Sequence, residues 1–84
     1  MEFYEKMMER DLQEAYASGF KTEVFCTRYM IVKHVFDHVN ILTKEEKHAY
    51  DGCAFPMSIL IKMAEKFGND SILTRSYIEL MNDR

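Results

Sequence analysis

From Phe3 to Tyr16 the apolar side chains stand at Phe3, Tyr4, Met7, Met8, Leu12, Ala15 and Tyr16, with Glu5, Lys6, Glu9, Arg10, Gln13 and Glu14 between them. Steps of three and four gather these apolar groups on one side of an α-helix. Glu2 and Glu5 suit the positive N-terminal end of such a helix, and Ser18-Gly19 supplies a stop in which glycine adopts a left-handed backbone without a Cβ clash. A first helix ending near Ala17 is expected. Beyond Thr22 and Glu23 a second stripe reads Phe25, Tyr29, Val32, Phe36 and Val39, widened by Val24, Met30, Ile31 and Val35. Its β-branched content would suit a strand, but Arg28, Lys33 and Asp37 do not fall at a period of two. The pattern predicts a long, mostly buried helix that Asn40 can close.

Thr43-Lys44-Glu45-Glu46 has the form of a capping box, in which the threonine hydroxyl and the glutamate carboxylate satisfy each other's backbone N–H groups. It opens a short third helix to about Tyr50, which Gly52 ends. Pro56 fits the first turn of a fourth helix, where no N–H is needed. That helix turns Met57, Leu60, Met63, Ala64 and Phe67 inward, with Ile59 and Ile61 widening the face. Gly68 is the next stop, and Asp70 or Ser71 caps a fifth helix carrying Ile72, Leu73, Tyr77, Ile78, Leu80 and Met81. Without repeats or a long linker, residues 1–84 read as a single helical domain of the all-α class. The expected architecture is a small compact bundle of about five helices, one long and central, the others shorter and flanking it. Phe25, Tyr29, Val32, Phe36, Leu60, Met63, Phe67, Tyr77 and Leu80 are its expected core.

Composition narrows the possible functions. A chain of 84 residues buries only about 60 to 65% of its unfolded surface, which argues against a core that also encloses a deep substrate cavity. Eleven Lys and Arg against fourteen Asp and Glu leave a charge of -3, so the overall field favours neither nucleic acid nor an anionic membrane. Apolar runs are interrupted by Arg28, Lys33 and Lys62 well short of the ~20 residues of a membrane span. The chain shows no secretory signal, and Cys26 and Cys53 stand far apart with no CxxC, which together predict a reducing, cytoplasmic setting. Cys26 is expected in the core and Cys53 in the accessible turn from Gly52 to Phe55.

His34 and His38 share one face of the second helix, a spacing that can chelate a transition metal. Val35 stands where a zincin peptidase needs glutamate, and Cys26, His48 or Asp37 would complete a site only if the fold brought one of them close. Two histidines on the polar edge of a helix are more often plain surface, so no metal is expected. Glu45 and His48 form a single Glu-x-x-His unit, where di-iron bundles need two units and two further glutamates. No serine, threonine or cysteine stands in an activating pattern, and the isolated Gly19, Gly52 and Gly68 cannot form a phosphate loop. Neither a catalytic residue nor a cofactor is expected, and the chain reads as non-enzymatic.

Two binding classes remain. Residues 43–67 form a helix, a turn and a second helix, which makes a helix-turn-helix DNA-binding regulator the alternative reading. Its reading helix would begin Pro56, Met57, Ser58, Ile59, with no cation to meet phosphate, which weighs against nucleic acid. The leading reading is a protein-protein interaction module. Seven methionines, five tyrosines and six phenylalanines exceed what so small a core needs, and contact surfaces are enriched in these residues. Adjacent Met7 and Met8 are about 100° apart around their helix, so one of them can stand open unless the buried face is broad. If the terminal helices pack on a central second helix by one side only, a partner-binding face is left at Phe3, Tyr4, Met7, Met8, Tyr77 and Met81. In style the chain resembles the small accessory proteins with which bacteria and phages bind and retune a larger protein. An inhibitor, adaptor or regulatory subunit is the expected role, and homodimerisation is its competitor.

Overall fold

The computed structural model describes residues 2–83, Glu2 by its backbone alone. Five helices account for most of it: α1 (Glu2–Ser18), α2 (Lys21–His38), α3 (Lys44–Asp51), α4 (Met57–Phe67) and α5 (Ile72–Asn82). Among the described residues there is no strand. A radius of gyration of 12.1 Å matches the ~12 Å of a compact chain of this length.

The punctuation of the sequence operates largely as read. Gly19 and Gly68, at φ 78° and 95°, turn the chain out of α1 and α4 through the left-handed region. Thr43 and Glu46 form the complete capping box, with bonds of 3.1 and 2.8 Å, and Ser71, not Asp70, caps α5 by accepting from the Leu73 N–H at 3.2 Å. Three boundaries differ. α2 starts at Lys21 behind a Phe20 N-cap that makes no side-chain hydrogen bond, and it ends at His38 with Val39, not Asn40, as C-cap. Pro56 is the N-cap of α4, one step outside its first turn.

α1 and α2 form an antiparallel hairpin. Tyr4 near the start of α1 meets His34 and His38 near the end of α2, and Tyr16 at the other end of α1 meets Arg28. α5 runs parallel to α1: the Ser71 hydroxyl donates to Glu5 at 3.0 Å at one end, and Asp83 faces Arg28 at the other. Because α5 packs against α1, α2 and α4 together, it shares the centre of the bundle with the longer α2. Leu73, Thr74, Ser76, Tyr77 and Leu80 are buried there, so α5 is an internal element and not a flanking one.

Val32, Phe36, Met63, Tyr77 and Leu80 lie in the core as the periodicity predicts, while Phe25, Tyr29, Leu60 and Phe67 are half-buried around it. Met8, Leu12, Tyr50, Ile59 and Leu73 complete the interior. Tyr29 and Tyr50 stack with ring centroids 4.6 Å apart, and each hydroxyl donates to the other residue's carbonyl, at 2.7 and 2.8 Å. The Tyr77 hydroxyl donates to Pro56 O at 2.8 Å, so these three phenols satisfy their polar ends on backbone. Burial pushes the Tyr50 and Tyr77 hydroxyls well above the ordinary tyrosine range. The α3–α4 junction is fixed by Glu46, whose carboxylate also accepts from the Ser58 hydroxyl and the Lys62 ammonium.

Candidate functional site

The residues expected to form a partner face do not all lie on one exposed surface, although the Phe3 and Tyr4 rings meet at 5.3 Å. Met8 and Tyr77 are fully buried, Phe3 is 68% exposed, and Tyr4, Met7 and Met81 are half-buried. The parallel course of α1 and α5 sets Phe3 at one end of the bundle and Met81 at the other. Tyr77 is interior because it lies on the face of α5 that α1, α2 and α4 pack against, and Met8 because the inward face of α1 is centred on it and Leu12.

A concave surface exists instead where the α1–α2 turn meets the end of α5. Its walls are Tyr16, Phe20, Val24 and Phe25, its floor is Arg28, and Glu79 and Asp83 close the α5 side around about 840 Å³. The local sequence produces it. Left-handed Gly19 makes the turn tight, and Phe20 follows in extended backbone (φ -103°, ψ 122°) at a position where helices favour a small polar cap. The phenyl group caps nothing and projects 68% exposed, and Tyr16 on the opposite rim is 58% exposed.

Arg28 is only 9% exposed and ties the three elements together. Its guanidinium donates to the Tyr16 hydroxyl at 2.5 Å, lies 5.8 Å from the centre of the Tyr16 ring, and stands 3.6 Å from the Asp83 carboxylate. Tyr16, Arg28 and Glu79 also line the neighbouring cleft of about 700 Å³ between α1 and α5, whose other charged groups are Glu5, Glu9, Asp70 and Arg75. The two concavities share these three residues and form one groove whose lining carries Glu5, Glu9, Asp70, Glu79 and Asp83 against Lys21, Arg28 and Arg75, a net acidic balance. Sequence reasoning passed over Arg28, Phe20 and Asp83. The one available signal was a phenylalanine directly after a helix stop, where no core position is expected.

The other candidates are more dispersed. His34 and His38 are exposed, with ring centroids 4.7 Å apart, and Nδ1–H of His38 donates to the His34 carbonyl at 2.8 Å. Among the described residues no three His, Cys, Asp or Glu side chains converge on a metal position, so Cys26, Asp37 and His48 do not complete the pair. Cys26 is exposed and not in the core, because it lies on the outer side of α2, and Cys53 is exposed in its turn as expected. Glu45 and His48 both face solvent. For the DNA-reading alternative, Lys62 is engaged by Glu46 and the first turn of α4 exposes Met57 and Ser58, a poor phosphate-contacting face.

No family model, curated protein or solved structure matches the chain. Among the described residues no helix is long and apolar enough to cross a membrane.

Proposed function

We propose that the chain is a non-enzymatic interaction module, an inhibitor, adaptor or regulatory accessory protein, that holds a partner protein in the groove at the α1–α2 corner. The observation that carries this reading is the placement of two large aromatic side chains, Phe20 and Tyr16, more than half exposed on the rims of one concavity with a buried arginine at its floor. Exposed aromatic groups beside a concavity mark contact sites, and Tyr, Phe and Arg are enriched where interfaces concentrate their binding energy. An interface of standard size takes about 800 Å² per partner, roughly 15% of the 5391 Å² surface of this chain. The mechanism is occlusion or reshaping of the partner's surface.

The test is Phe20→Glu, a change at a side chain that packs against no core group. Helicity and melting temperature should be retained, while a protein captured from the native host by the parent is lost. Self-association is followed in parallel by sedimentation, and its loss in the variant would make the partner a second copy. A folded variant that equals the parent in both assays refutes the assignment of the groove.

A further inference from the structure

The groove also carries information about the end of the partner it suits. Arginine presents five N–H donors in a planar fork and, when buried, pairs best with a carboxylate through two short parallel bonds. Among the described residues Arg28 is not paired in this way. One nitrogen is taken by the Tyr16 hydroxyl, and the Asp83 carboxylate stands at 3.6 Å, near enough for charge attraction and too far for a hydrogen bond. Asp83 follows the last turn of α5 with its side chain 44% exposed, so it moves aside at little cost.

We propose that the groove receives the C-terminal end of a partner chain, with Arg28 binding the terminal carboxylate and Asp83 as the internal group it displaces. This rests on the reading of the groove as the interaction site and adds the chemistry of its occupant. A C-terminal residue carries its carboxylate and its side chain on one Cα. A bulky apolar last residue therefore reaches the guanidinium and the walls formed by Phe20 and Phe25 at once. A side-chain carboxylate would have to be paired with an apolar residue two positions away, about 7 Å along an extended segment, because adjacent residues point to opposite faces. Charge sets the residues before the last one. Where the groove continues along α1, Glu5, Glu9, Asp70 and Glu79 outnumber Arg75, so its net charge favours lysine or arginine over acids. From Glu5 to Tyr16 the helix rises about 16 Å, the span of roughly five extended residues. The occupant is thus a basic tail of about five residues ending in a bulky apolar residue with a free carboxylate.

The probe is a fluorescent pentapeptide of four lysines and a C-terminal phenylalanine, compared with its C-terminal amide by anisotropy against the full chain. The acid should bind saturably at one equivalent and the amide at least tenfold more weakly. Asp83→Asn, which removes the competing carboxylate, should tighten the acid several-fold relative to the amide. Arg28→Gln should abolish the preference, and if that variant does not fold, the amide comparison and Asp83→Asn decide the matter alone. Equal affinity of acid and amide, or no gain in Asp83→Asn, overturns the proposal. If neither peptide binds while Phe20→Glu still releases a captured partner, the carboxylate anchor is wrong and the groove remains the contact site. If the acid binds as described while Phe20→Glu retains the partner, the anchor stands and the assignment of that partner to the groove fails.

Discussion

Replacing Glu46 with glutamine keeps the size of the side chain and removes its charge, which isolates what the carboxylate does between α3 and α4. Burial acts to raise the pKa of this group, but hydrogen bonds from Lys62, Ser58 and the Thr43 N–H outweigh it and hold it at about 2, against an ordinary 4.5. Proton binding is thus weakened some 300-fold by folding. At ~1.4 kcal/mol for each factor of ten, the ionised form stabilises the native state by about 3 kcal/mol at neutral pH. The folded pKa lies below the unfolded one, so this contribution is complete above pH 4.5 and is lost as pH falls toward 2. Worked through the two titrations, it declines to about 1.4 kcal/mol at pH 3 and below about 0.5 kcal/mol at pH 2. Urea unfolding of parent and Glu46→Gln, at pH 7, 5 and 3, measures the difference directly. The expected result is a gap of about 3 kcal/mol at the two higher values that at least halves at pH 3. A gap that is the same at all three, or under about 0.5 kcal/mol at pH 7, would show that the carboxylate is not the clamp inferred here.

Tyr50→Phe removes the hydroxyl that donates to the Tyr29 carbonyl and leaves the stack intact, so it should cost about 1 to 2 kcal/mol in urea unfolding; an unchanged midpoint would mean that the reciprocal bonds carry no net stability. Because His34 and His38 have no third ligand among the described residues, isothermal titration with zinc should show no stoichiometric tight binding; one equivalent retained through purification without an affinity tag, and lost in the His34→Ala, His38→Ala double variant, would contradict this.

The helices were legible because their signals are local. Apolar spacing, two left-handed glycines and the Thr43–Glu46 box each act within a few residues of chain, and each forms as read. What escaped depends on distance along the sequence. Glu46 reads as a cap, yet its bonds to Ser58 and Lys62, 12 and 16 residues away, exist only once α4 docks. Tyr50 sits in a short, mostly polar helix and is buried because the rings of Tyr29, Phe36, Phe55 and Tyr77 close around it. Periodicity marks the apolar face of α5 but not how many helices pack on it, and the contacts of α1, α2 and α4 bury Tyr77 fully and Met81 in part. Arg28 breaks a hydrophobic stripe in the sequence, and only the meeting of Tyr16 with Asp83 turns that interruption into the floor of a groove.

The course of α5 also has a consequence for biosynthesis. Ser71 and Glu5 meet across 66 positions of chain, and α5 leaves the ribosome after the four helices described before it. At ~5–20 residues per second, the interval between completion of α2 and completion of α5 is roughly 2 to 9 s. For that time the nascent hairpin of α1 and α2 exposes the apolar seam that α5 later fills. Until synthesis has passed α5, that seam is open to aggregation, proteolysis and chaperones.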